Sequence, residues 1–333
     1  MKIDHPYLLF LGDAPDDLAA KTARGIADWR PDWCLGQVRL AGCETTLGLP
    51  DMTPAEAAAA GARTMVVGVA NRGGVISDGW RATLVEALDA GMDLASGLHQ
   101  PLTSVPGLAD KAAAAGRRLI DARHPGGDGY AVATGAPRPG RRLLTVGTDC
   151  SVGKMYTSLA IEREMKARGM AVDFRATGQT GILIAGAGVP VDAVVADFIS
   201  GATESLSPAN DADHWDVIEG QGSLFHPSYA GVTLGLIHGA QASVLVLCHE
   251  PTRTHMRGLP GRALPPLKAC IEANLRAARV VDPDVRCIGI AVNTHALEDD
   301  AAARLLDEIE DRMGLPTVDA IRTGTAKLVD NLG

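Results

Sequence analysis

In 145-TVGTDCSVGKMYTSLA-160 a glycine-rich turn leads into a lysine, and the residue types suit the capture of an anion. The run 142-RLLTV-146 reads as a strand, Gly147 and Gly153 permit tight turning, and an amphipathic stretch follows Lys154. Successive backbone N–H groups in such a turn converge on an anion, and the helix start adds its own unpaired donors. Lys154 supplies positive charge for phosphate oxygens. The residues assigned to a bound nucleotide-like ligand are therefore Gly147, Thr148, Asp149, Cys150, Ser151, Val152, Gly153, Lys154 and Met155.

Two features depart from the common phosphate-binding loop. Five residues lie between Gly147 and Gly153, one more than in the usual pattern, and Met155 stands where a Ser or Thr is normal. That hydroxyl ligates the Mg²⁺ that bridges two phosphates during phosphoryl transfer. Thr157 lies about 200° further round a helix, a poor substitute. The loop is expected to hold a pyrophosphate and to support metal-dependent hydrolysis badly. Coenzyme A, NAD and FAD all carry adenine and a pyrophosphate.

Other chemistry-bearing residues sit at the ends of apolar runs. The strand 215-WDVIEGQGS-223 delivers Glu219, the favoured general base, with His226 in 223-SLFHPS-228 and His249 behind it. The run 249-HEPTRTHMR-257 packs two His, one Glu and two Arg together, and Arg253, whose guanidinium can grip a carboxylate bidentately, is the first choice for a substrate carboxylate. Arg72 in 71-NRGG-74 is a second substrate-contact candidate, with a plain glycine turn as the alternative. The His249, Glu250 and His255 grouping lacks metal-site spacing, so no metal is assigned.

The elements that must position these residues alternate short apolar runs with alanine-rich amphipathic stretches, which predicts an α/β fold with a mostly parallel sheet and helices on both faces. Strands are expected at 7–12, 64–70, 93–97 and 118–122, with helices near 79–91 and 106–116. A further helix starts at Pro54, with Thr53 as N-cap and Glu56 closing a capping box. These make a small Rossmann-like N-terminal domain, residues 1–137, without the GxGxxG fingerprint of a dinucleotide site. The Gly/Pro-dense stretch 124-HPGGDGYAVATGAPRPGRR-142 reads as a linker. A P-loop C-terminal domain, 138–333, takes strands at 142–146, 171–175, 193–198, 215–219, 243–248 and 286–292.

Composition bounds the function. A net charge of -9 argues against nucleic acid or an anionic membrane as partner, while leaving small anionic substrates open. The six cysteines form no CxxC pair, and no apolar run approaches a membrane span, so a cytoplasmic protein is expected.

The spelling GTDCSVGK resembles the loop of dethiobiotin synthetases and related amide ligases. The resemblance implies that Asn293, ending 287-CIGIAVNTH-295, meets adenine. It also implies that Asp197, ending 193-AVVADF-198, faces the phosphates if Mg²⁺ is used. In 177-TGQTG-181, Gln179 stands where a ligase relative carries a lysine, and it is grouped with the substrate contacts. Plain alternatives remain: an Asx turn for Asn293, and solvated loop acids for Asp197 and Glu219.

Taken with 177-TGQTGILIAGAGVPVDAVVADFISGATE-204, 216-DVIEGQGSLFHPSYAGVT-233 and 248-CHEPTR-253, the sequence is identified as a member of a former domain-of-unknown-function family. Its described members are D-glutamate N-acetyltransferases of the DgcN type. The resemblance implies an acetyl-CoA-dependent N-acetyltransferase of D-amino-acid catabolism that takes an acidic amino acid. A two-domain cytoplasmic enzyme of this type is commonly a homo-oligomer, which is the expectation here. The alternatives are an ATP/Mg-dependent ligase or kinase, and a non-catalytic nucleotide-binding regulatory module.

Overall fold

The computed structural model describes residues 1–71, 73–124 and 129–333. It divides into two compact units, one of residues 1–128 with 178–193, the other of 129–177 with 194–333. The division is thus not a single cut in the sequence: residues 178–193 follow the glycine-rich loop in the chain yet cluster with the first unit.

The first unit carries five parallel strands, β1 (Tyr7–Gly12), β2 (Cys34–Arg39), β3 (Thr64–Val67), β4 (Asp93–Ser96) and β5 (Leu119–Asp121), in the order β2-β1-β3-β4-β5. All six residues of β1 are buried, which is why the strand reads as an unbroken apolar run. The helix Pro54–Ala59 starts at Thr53, whose side chain accepts from Glu56 N while Glu56 caps Thr53 N, as expected. β2 was not anticipated. Its residues, CLGQVR, are mixed in polarity because it is an edge strand. Its one buried amide, Gln37, is satisfied by Thr46 Oγ1, Asp51 Oδ1 and the Leu47 N–H.

The turn after β1 is packed shut. Gly12 adopts φ +53°, and a Cβ there would lie 3.0 Å from the Trp80 ring. Trp80 is buried and donates from Nε1 to Asp13 Oδ1 at 2.8 Å. The turn after β3 is closed as well, since Gly68 O accepts from Ala23 N at 3.1 Å.

The second unit holds β6 (Arg141–Gly147), β7 (Val172–Arg175), β8 (Trp215–Ile218), β9 (Val244–His249), β10 (Arg286–Val292) and β11 (Thr317–Val318). They form one parallel sheet ordered β11-β10-β9-β6-β8-β7. The strand expected over 193–198 does not form; residues 191–193 and 196–198 are single 3-10 turns. Asp192 and Asp197 interrupt the apolar run, and Val195 is 67% exposed, so the segment has no two-sided burial to hold it as a strand. Among the described residues no helix is long and apolar enough to cross a membrane.

Candidate functional site

In the second sheet β6 and β9 are neighbours, with Gly147 opposite Cys248, and the strand order runs away from them in both directions. Loops leaving the C-terminal ends of two such strands open a crevice. Here they are residues 148–153 after β6 and the segment from Glu250 after β9.

The first loop is a cradle of backbone donors. Gly153 takes φ +98° and Ser151 φ +54°, so the N–H groups turn inward ahead of the helix Lys154–Ala167. The N–H groups of Ser151, Val152 and Gly153 make no hydrogen bond among the described residues. A Cβ on Gly147 would lie 2.9 Å from Lys154 Nζ and from Val152 Cγ2, so only glycine leaves the cradle open. Lys154 is buried, and its Nζ donates to Asp149 O at 2.9 Å. Burial drives its pKa below the ordinary lysine value. An arriving anion would both replace the carbonyl partner and stabilise the ammonium.

Met155, half-buried, follows Lys154 on the helix. Thr157 offers no substitute hydroxyl, because it is buried and hydrogen-bonds the Cys248 thiol.

Asp149 is the hub of the loop. Its Oδ1 accepts from Cys150 N at 2.7 Å, and its Oδ2 accepts from Arg253 Nη1 at 3.0 Å and from Arg257 N at 2.7 Å. Arg253 is saturated: Nη1 also donates to Cys150 O (2.7 Å), Nη2 to Ser151 O (2.6 Å), and Nε pairs with Glu250 Oε2 (2.8 Å). Its guanidinium therefore braces the loop from outside, and its donors are not disposed toward an acceptor. Glu250, buried, also accepts from Thr252 N at 2.9 Å; its pKa falls because these bonds outweigh a burial that pushes it up.

The three base candidates differ in what their polar atoms are doing. Glu219 is buried at the end of β8; Oε2 accepts from Thr177 N at 2.9 Å and Oε1 from Gln221 Nε2 at 3.1 Å. His226 accepts from Ser228 N at Nδ1 (3.2 Å), so its proton resides on Nε2, which donates to Arg257 O (3.0 Å). Both ring nitrogens are occupied. His249, half-buried at the end of β9, bonds Thr148 Oγ1 through Nδ1 at 3.0 Å, and its Nε2 has no partner among the described residues. Burial holds its pKa below the usual imidazole value, so it is neutral at neutral pH.

A ligand atom each from Asp149, Cys150 and His226 falls within 4.8 Å of the others. The carboxylate and imidazole of that set are already spent on the hydrogen bonds above, which does not suit a metal.

Asn293, just past β10, accepts from His295 N at 3.3 Å through Oδ1, an Asx turn. It also lines a slot of about 60 Å³ with Val152, Gly153, Tyr156, Asp319 and Ile321. Asp319 fixes the far wall, accepting from Thr294 N and Ile321 N, both at 2.9 Å. Gln179 opens the helix Gln179–Ala185 in the first unit, where it packs beside Gly97. Asp197 corrects the expectation made of it: it lies exposed on a 3-10 turn and ends no strand of the sheet. Arg72 lies outside the described residues.

Sequence reasoning passed over Arg257, Tyr156, Asp319 and the Thr148–His249 pairing. Arg257 sits within a charge-dense run, but nothing in linear order tells which of its two arginines the loop saturates and which keeps its guanidinium open.

Comparison with known proteins places these features in a family. A model described as a domain of unknown function, the DUF1611 C-terminal P-loop domain, matches residues 131–329, and the DUF1611 N-terminal Rossmann-like domain matches 38–125. A D-glutamate N-acetyltransferase of Tritonibacter scottomollicae is 59% identical over 330 residues, 99% of each chain. One from a Pseudoalteromonas species is 49% identical over the full length of both. The crystal structure of a DUF1611 family protein from Anabaena variabilis superposes with a TM-score of 0.81 at 33% identity, covering 98% of this chain and 99% of that one.

Proposed function

The chain belongs to the DUF1611 family, and from that premise we propose that it transfers the acetyl group of acetyl-CoA to the amine of D-glutamate. One observation carries the donor half of this reading: the anion cradle is complete in backbone and lysine, yet Met155 stands at the magnesium position. The loop suits a pyrophosphate that is held, not one that is split. The acceptor half is supported by the two full-length relatives named D-glutamate N-acetyltransferase.

In this reading Ser151, Val152, Gly153 and Lys154 bind the pyrophosphate of coenzyme A, and the slot beside Asn293 and Tyr156 takes the adenine end. The acceptor nitrogen attacks the thioester carbonyl; an N–C bond forms, the C–S bond breaks, and a proton must leave the nitrogen. His249 suits that task best. In the tautomer whose Nδ1–H donates to Thr148 Oγ1 the Nε2 lone pair is available, and burial keeps the ring neutral. The proton then passes to the departing thiolate, which leaves as free coenzyme A. Glu219 instead holds the Thr177 turn and, by its charge, favours the ammonium form of Lys154. Arg253 braces the loop.

Incubation with D-glutamate and either acetyl-CoA or ATP·Mg²⁺, followed by mass analysis of the products, tests the reading. N-acetyl-D-glutamate is expected only with acetyl-CoA. ADP accumulation without an acetylated product would favour a ligase or kinase.

A further inference from the structure

We propose that Arg257 grips the side-chain carboxylate of the acceptor and so sets the preference for an acidic amino acid; this rests on the acetyltransferase reading above. The loop after β9 forms an open cleft of roughly 400 Å³, lined by Thr252, Arg253, Thr254, His255, Arg257 and Gly258. The lining offers two guanidiniums, an imidazole and hydroxyls, and no acid. Its chemistry is that of a site for a small carboxylate.

Of the two arginines, only Arg257 has its fork open. Arg253 has two carboxylates and two loop carbonyls as partners. The exposed Arg257 guanidinium meets one side chain among the described residues, the Ser151 hydroxyl, and has no ion pair among them. A guanidinium so placed can take a carboxylate through two parallel N–H···O bonds.

The backbone of Arg257 is pinned on both sides. Its N–H donates to the buried Asp149 carboxylate at 2.7 Å, and its carbonyl accepts from His226 Nε2 at 3.0 Å. Asp149 and His226 thereby act as positioning residues for the cleft.

Location separates this cleft from the adenine end of the donor. The slot assigned to adenine is lined by Val152, Gly153 and Tyr156, whereas the arginines bordering the cleft touch Asp149, Cys150 and Ser151, the opposite end of the loop. A ribose phosphate belongs with the adenine slot, and the open fork of Arg257 beyond Ser151 faces a cleft that the acceptor can enter.

Steady-state kinetics of the wild type, Arg257→Gln and Arg257→Lys, with D-glutamate or D-glutamine as acceptor and acetyl-CoA or acetyl-dephospho-CoA as donor, test the proposal. Arg257→Gln is expected to raise KM for D-glutamate about 10- to 100-fold, the worth of a charge-assisted pair. The D-glutamine and acetyl-CoA constants should hold, and Arg257→Lys should fall between. An equal rise for both acceptors would make Arg257 merely structural. A rise in the acetyl-CoA constant that vanishes with the dephospho donor would assign the cation to the ribose phosphate, and one that persists with it to the pyrophosphate; any of these results overturns the proposal. Calorimetric titration of D-glutamate into wild type and variants reads the same contact without turnover. A wild type that binds D-glutamate through Arg257 yet moves no acetyl group would sink the acetyltransferase reading and leave the subsite standing.

Discussion

The turn after β1 and the turn after β6 occupy equivalent places in two parallel sheets, and they have opposite fates. Each leaves a strand beside which the sheet order reverses direction, the location where open α/β sheets bind ligands. In the first unit the Trp80 ring sits against Gly12 and bonds Asp13, and Ala23 N closes the turn after β3. In the second unit the same location is lined by N–H groups without a partner among the described residues, with a buried lysine beside them. The architecture offers a crevice in both cases, and a few side chains decide whether it is packed or kept open.

That contrast can be broken from the second unit first. His249→Gln should lower kcat about 10²- to 10⁴-fold while coenzyme A binding persists, since it removes a general base and no part of the cradle. The sign of the pH effect follows from burial, which disfavours the imidazolium and lowers its pKa. The wild-type rate should therefore be flat at neutral pH and fall only as pH drops below the ordinary imidazole range. A limb at the ordinary imidazole pKa or above would remove His249 as the base.

Lys154→Ala is the next largest. Loss of a charged donor should weaken coenzyme A about 10- to 100-fold and leave D-glutamate binding alone. The free-state pKa of Lys154 is depressed and an anion raises it, so binding should take up protons at pH values between the two. Calorimetry in buffers of different ionisation enthalpy measures that uptake, and Lys154→Ala should abolish it.

The smallest effect belongs to the first unit. Trp80→Phe keeps the ring in its place and loses the bond to Asp13, costing about 1 kcal/mol. Thermal melts should show that loss while coenzyme A affinity stays at the wild-type value. A matching loss of affinity would mean that the packed turn contributes to the site after all.

What could be read from the sequence follows from where the determining information lies. β1, β3 and β9 are apolar runs, broken only by Thr64 and His249 at the ends of β3 and β9, because both faces of each are covered, so they were legible. β2, whose buried Gln37 depends on Thr46 and Asp51, and β11, two residues long, carry no such pattern. The cradle was legible because its spelling is contiguous. The roles of Arg253 and Glu219 were not, because both depend on partners distant in the chain: Asp149 and the 150–151 carbonyls for one, the Thr177 turn for the other. The occupied ring of His226 was not legible for a local reason, the Ser228 N–H that fixes its tautomer.

The central claim is that this loop holds a pyrophosphate without asking a metal to help break it. The most direct measurement is the rate of N-acetyl-D-glutamate formation from acetyl-CoA and D-glutamate with excess EDTA, compared with the rate in millimolar Mg²⁺. Equal rates are expected. Acetyl transfer that collapses in EDTA and returns with Mg²⁺ would make the loop a magnesium site.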